Sequence, residues 1–246
     1  MKADRCHLID ALRGMDVVSM VMFHFFFDVF IVFGVDPTWY YKPLIHFWQQ
    51  SICWIFIFIS GFVWTLGRAK NLKRGLFLNL CGFAITAVTV IFMPSEAVWF
   101  GILNFIGCAV LLLIPLDALL SRLPAPAGAS ISFILFIFTK NLSSGVLGFY
   151  DLLRIPLPSF LYDIKVLTPL GFPFPGFFSS DYFPVIPWIF LYLCGYFCYR
   201  IFEKSEGARE IARVNIPVFS FIGRHAIWIY LIHQPVCYGI CMLLFS

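Results

Sequence analysis

Charge is scarce in this chain. Lys, Arg, Asp and Glu make up only 12% of its 246 residues, about half the roughly 25% of a soluble domain. Hydrophobic residues are 61% and aromatic residues 20%, and the mean hydropathy is +0.90. No globular core of this size hides so much apolar surface, so a soluble fold is excluded and an integral membrane protein is expected. The net charge of +4 comes from basic residues scattered in short loops. With no basic stripe, no nucleic-acid partner is expected. P-loop and GxGxxG sequences are absent, and so are internal repeats strong enough to suggest an inverted-repeat transporter. The first apolar stretch is too long for a cleavable signal peptide and lacks a small-residue cleavage site. The eight cysteines lie mostly inside apolar runs. They read as small packing residues, including the i,i+4 pairs Cys194/Cys198 and Cys237/Cys241, rather than as disulfides or metal ligands.

Long apolar runs are what the chain has instead. A bilayer core about 30 Å thick needs about 20 apolar residues per helix. Seven segments qualify, at roughly 14–34, 47–67, 75–93, 99–120, 128–149, 184–203 and 217–244. Lys2, Arg5 and Arg13 precede the first, and Arg68, Lys70, Lys73 and Arg74 follow the second. Arg122 follows the fourth, and Arg200, Lys204, Arg209 and Arg213 follow the sixth. These clusters share one side if the N-terminus is cytoplasmic and the C-terminus outside, as the positive-inside rule requires. The expected fold is an all-α polytopic transmembrane helix bundle of about seven spans, forming one integral membrane domain over 1–246. Lys140, Asn141 and Ser143–Ser144 threaten to end the fifth span early. The stretch 150–183, rich in Pro, Gly and Phe, is expected as an irregular external cap. Asp151 belongs to that outer side.

Charges within the first span are the exception that needs a reason. Such residues are costly at bilayer depth, by at least ~2.5–3.5 kcal/mol, and mark functional sites by default. At 100° per residue, Arg13, Asp16, His24 and Asp28 fall on one broad stripe. Asp28, one turn from His24, is placed to orient the imidazole and raise its basicity. His46 opens the second span above Gln49 and Gln50, which suggests the mouth of a site. Asn104 sits in the small-residue face Gly101–Cys108 of the fourth span. Asp181 complements the dipole at the start of the sixth span, ahead of Pro187 and Trp188. In the last span His233, Gln234 and Pro235 make a second polar spot, where His233 can serve a carbonyl freed by the proline. Arg224 and His225 lie near its cytoplasmic end.

Ile9–Gly14 leading to His24 resembles the opening of membrane acyltransferases. These include the acyltransferase-3 group and, more closely, the heparan-alpha-glucosaminide N-acetyltransferase catalytic-domain family with its bacterial members. Gly101–Gly107, Asp181–Pro184 with Pro187–Trp188, and Gly223–His225 through Tyr230–Pro235 look like the later blocks of that family, in the same order. The resemblance implies transfer of an acyl group, acetyl first among them, from cytoplasmic acetyl-CoA or another acyl-CoA to an extracytoplasmic sugar, amino sugar or similar small acceptor. It also implies residence in a bacterial plasma (inner) membrane, no metal, and an assembly compatible with a homodimer. In the lysosomal relative the catalytic histidine lies between the first two spans, where His46 stands. In the acyltransferase-3 group the functional pair lies on the first helix, at Arg13 and His24.

The site expected on this basis has His24, Asp28 and His46 as catalytic residues. Arg13, Asn104, Arg224, His233 and Gln234 line the acyl-CoA, with cationic groups meeting its phosphates. Asn104, Gln234 or Tyr230 donates to the thioester oxyanion. Which histidine is central stays open at this point. The rival reading is a proton-coupled transporter or channel in which His24, Asp28 and His233 relay protons.

Overall fold

The computed structural model describes residues 6–149 and 152–245. Lys2, Arg5 and Asp151, all used above, lie outside them. The described residues are all-α apart from one short hairpin, and seven helical segments are long and apolar enough to cross a membrane: His7–Val32, Pro43–Phe62, Thr65–Phe92, Ile102–Leu120, Ala125–Ser144, Val185–Phe202 and Ala226–Phe245. The chain is therefore an integral membrane protein. It divides into two compact units, one of Met1–Ile59 with Phe202–Ser246 and one of Ser60–Ile201.

The first unit is built on α1 (His7–Phe27), which ends in a π-helical turn over Asp28–Val32. After the short α7 (Glu206–Ile211), two further helices pack on it, α8 (Pro217–Arg224) and α9 (Ala226–Phe245). The last span, expected as one helix from 217 to 244, is two. The chain bends at His225, whose ring Nδ1 lies 2.9 Å from the Phe221 carbonyl and satisfies an end of α8 that would otherwise stay orphaned. The α1–α8 crossing is unusually close. A Cβ on Gly14 would sit 2.0 Å from the Phe219 carbonyl oxygen, and one on Gly223 would sit 1.8 Å from that of Asp10. Only glycine permits this approach. Ser220 donates to the His7 carbonyl beside it, at 3.2 Å. On the other side of α1, Val17, Met20, Phe23, Trp39, Ile52 and Ala226 form an apolar core. The start of α2 (Pro43–Phe62) is pinned there by Trp48, whose indole donates to Ser19 at 2.8 Å.

The second unit contains α3 (Asn71–Phe92), α4 (Ile102–Leu120), α5 (Ala125–Thr139) and α6 (Val185–Phe202). Helices α3 and α4 meet through Gly75, Gly82 and Gly107, so the small residues of the fourth span do serve close packing. The fifth span does end early. Helix α5 stops at Thr139, a 3-10 turn follows at Leu142–Ser144, and Val146–Phe149 (β1) then pairs antiparallel with Leu153–Pro156 (β2). The expected span reached 149 because strand residues such as Val146, Leu147 and Phe149 are of the same apolar kind that fills a membrane helix. From Leu152 to Phe183 the described residues form no α-helix. Ser143 donates to the Gly171 carbonyl across this segment, at 3.2 Å.

Asp181 caps a different helix from the one its place in the chain suggested. Its Oδ2 accepts from the Ile102 backbone N–H at 3.3 Å, so it closes the start of α4, while residues 179–183 run beside 96–100 through backbone bonds. Burial pushes the Asp181 carboxyl up to about 6, against the opposing pull of the Ile102 N–H.

Two outcomes follow. Gly223→Ala must spread α1 and α8, and should cost about 1–3 kcal/mol as overpacking. Gly239→Ala, where no atom lies within 4 Å of the added methyl, should be neutral or slightly stabilising; thermal melts of the two variants compare them. The folded Asp181 binds its proton up to a pH near 6, above the usual 3.8 of the unfolded chain. Its contribution to stability is therefore fully present below about pH 4 and is lost as pH rises toward and through 6. Asp181→Asn should flatten that part of the stability–pH curve, read as unfolding midpoints between pH 4 and 7.

Candidate functional site

The first unit gathers four polar side chains at one α1–α9 seam. His24 and Asp28, one turn apart on α1, face His233 and Gln234 on α9. The His24 and His233 rings meet edge-on with centroids 4.8 Å apart. Gln234 Nε2 donates to Asp28 Oδ1 at 2.8 Å. Asp28 is fully buried, and His233 is 7% exposed. The π turn that begins at Asp28 carries its carbonyl to the N–H of Phe33 at 2.9 Å, five residues on. Such single wide turns recur at functional sites.

The expectation that Asp28 orients His24 is not what the structure shows. Asp28 is held by Gln234, and it makes no hydrogen bond to His24 among the described residues. Sequence spacing brings the two residues onto one face, but the better-placed donor comes from the other helix. The role given to Pro235 also changes. Helix α9 runs through it without a break. The carbonyl that a proline at 235 strips of its partner belongs to Leu231, whereas His233 Nδ1 lies 2.6 Å from that of Tyr230. A carbonyl only accepts, so Nδ1 carries the ring's proton and Nε2 keeps its lone pair.

That lone pair is buried without a partner. So are Asp28 Oδ2 and Gln234 Oε1. Three atoms able to accept, with nothing donating to them, is an unusual collection in an apolar span, where an unsatisfied polar group costs several kcal/mol. Asp16, further along α1, is 5% exposed and also has an unpartnered oxygen. The arrangement suits a guest that brings hydroxyl or amine protons.

The remaining expected residues lie elsewhere. His46 stands exposed in the first turn of α2, and among the described residues no hydrogen bond, ion pair or ring contact joins it to the four. The glutamines below it are engaged locally: Gln49 donates to Tyr40 at 3.1 Å, and Gln50 accepts from Trp54 at 3.3 Å. Arg13 and Arg224 flank the Gly14–Gly223 crossing. Arg13 pairs with Asp10 at 3.4 Å, and Arg224 is exposed with its guanidinium 5.9 Å from the Phe221 ring centre. Asn104 belongs to the second unit, where its amide donates to the Asn79 carbonyl at 3.4 Å and its Oδ1 is buried without a partner. Sequence reasoning missed the Tyr230 carbonyl, which sets the His233 tautomer. The i,i+3 spacing of the two residues was the signal for it.

Removing the donor at the seam gives a direct check. Gln234→Leu leaves Asp28 buried with neither oxygen paired and should cost about 1–3 kcal/mol, measured by thermal or chemical unfolding in detergent. Gln234→Asn, with a shorter reach, should fall between the two.

Among known proteins, a family model described as heparan-alpha-glucosaminide N-acetyltransferase, catalytic, matches residues 5–235. No curated protein and no solved structure matches the chain.

Proposed function

We propose, from the premise that the chain belongs to the heparan-alpha-glucosaminide N-acetyltransferase catalytic family, a specific course for a membrane acetyltransferase. The donor is acetyl-CoA, approaching from the side of the α1 N-terminus. The acceptor is a sugar or amino sugar on the opposite side. The observation that carries this reading is the free His233 Nε2, set in a seam whose orphan atoms all accept.

His233 Nε2 takes the proton from the acceptor's hydroxyl or amine as that group attacks the thioester carbonyl carbon. The C–S bond breaks, and the proton passes from the imidazolium to the departing CoA thiolate, so the residue returns to its starting state. The Tyr230 carbonyl holds the productive tautomer, since it binds the Nδ1 proton through every step. His24 packs edge-on to the same ring and limits its rotation. Asp28 and Gln234 receive the acceptor's other hydroxyl protons and orient it. The second amide N–H of Gln234 serves the developing oxyanion.

Arg13 and Arg224 answer the charge of the CoA phosphates at the α1–α8 crossing. From Arg13 to His24 the rise is ~16 Å at 1.5 Å per residue, a depth the extended pantetheine arm can reach. This course places the N-terminus in the cytoplasm and the C-terminus outside, in a bacterial plasma (inner) membrane, in keeping with the distribution of Arg and Lys. His46, at the far end of α1's partner helix, is the competing catalytic group.

With labelled acetyl-CoA and a panel of amino sugars, the purified protein should form acetylated product. His233→Ala should lower the rate by 10²–10⁴-fold, about the share of general acid–base catalysis, and His24→Ala by less, as the loss of a positioning contact, while His46→Ala stays within about threefold of the parent rate. The reverse order would hand the chemistry to His46. Uptake driven by a pH gradient in liposomes without acetyl-CoA, and no transfer, would favour the relay reading.

A further inference from the structure

The second unit holds a cation whose partners are all neutral. Arg74 lies in the first turn of α3, half-buried, and its guanidinium Nη2 donates to the Ser60 hydroxyl at 3.2 Å. Ser60 is 6% exposed and Tyr192 is fully buried. The Tyr192 phenol lies in hydrogen-bonding reach of Ser60 and within electrostatic reach of Arg74. The three meet because α2 and α6 cross at Gly61, where a Cβ would stand 1.9 Å from the Tyr192 carbonyl oxygen.

No carboxylate among the described residues pairs with Arg74. Asp117, on α4 of the same unit, is engaged elsewhere. Asp117 receives Arg68 at 2.8 Å and the Tyr196 hydroxyl at 2.7 Å. A guanidinium offers five N–H donors, and one of them is used here. A partly buried cation without a counter-charge is expensive, and a snorkelling arginine escapes that cost by turning its head to water. Arg74 instead turns toward a buried serine. Exposed Lys70 and Lys73 flank the entrance in sequence and raise the local positive potential.

We propose that Arg74, Ser60 and Tyr192 form a binding site for a phosphate group, carried by CoA or by an anionic phospholipid headgroup. The planar fork of the guanidinium suits two phosphate oxygens at once, and the buried phenol beside Ser60 supplies a third donor from the apolar side. The CoA form of the proposal rests on the acetyl-transfer reading. The lipid form does not.

The test uses the full chain in detergent, with acetyl-CoA and phosphatidic acid as probes and diacylglycerol as the phosphate-free blank. Arg74→Gln should weaken at least one phosphate probe by about tenfold or more, the loss of a charge-assisted bond. Tyr192→Phe keeps the packing and should weaken the same probe by a few-fold at an unchanged melting midpoint. A loss confined to acetyl-CoA identifies CoA as the source of the phosphate, and a loss confined to phosphatidic acid identifies the lipid. Unchanged affinity for both probes in Tyr192→Phe, or in a folded Arg74→Gln, overturns the site. Arg74-dependent binding of phosphatidic acid in a protein that shows no acetyl transfer would sink the enzymatic reading and leave this one standing.

Discussion

The close crossing of α1 and α8 at Gly14 and Gly223 is the constraint on which the first unit depends. With no side chain at either position, the backbones approach to the point where an added methyl would overlap a carbonyl oxygen. Helices in a bilayer gain little from hydrophobic attraction to one another, so close backbone packing and buried hydrogen bonds must hold them. The crossing supplies the first, and the Ser220–His7 bond beside it is an instance of the second. Because α9 begins just after α8 turns at His225, the angle of the crossing determines where α9 meets α1. The seam carrying His24, Asp28, His233 and Gln234 is thus set by two glycines, Gly14 and Gly223, each about three helical turns along the chain from a seam histidine.

At that seam the membrane environment decides what the polar groups mean. In water, an unpaired imidazole nitrogen or carboxylate oxygen costs nothing. In an apolar span it is a standing penalty that folding alone has no reason to keep. Asp28 is partly compensated by Gln234, and His233 by Tyr230, and each compensation leaves one acceptor unanswered. A purely structural polar clip would close on itself. This one is half closed, as a site for a proton-bearing guest should be. Arg74 presents the opposite case in the second unit, a cation whose hydrogen bond goes to a neutral hydroxyl.

Much of this was legible in the residues. The number of spans followed from apolar run length, and the polar stripe of the first helix followed from 3.6-residue periodicity, because both are local properties. The motifs Ile9–Gly14, Gly101–Gly107 and Gly223–Pro235 pointed to the family that the match over residues 5–235 shows. What periodicity cannot carry is which helix answers which. Asp28 was assigned to His24 by spacing, and it went to Gln234, 206 positions away. Asp181 was assigned to the helix it precedes, and it caps α4. The split of the last span at His225 turns on one ring reaching back one turn. The hairpin after α5 hides in residues equally suited to a lipid-facing helix.

The central claim is that acetyl transfer takes place at the α1–α9 seam, with the His233 lone pair as the base. The most direct measurement is a structure of the protein with a non-hydrolysable acetyl-CoA analogue bound. The account predicts the acyl carbon within about 4 Å of the seam, in near-attack reach of an acceptor held by His233 Nε2. An analogue whose acyl group lies instead beside His46, with the His24–His233 pair untouched, would contradict it.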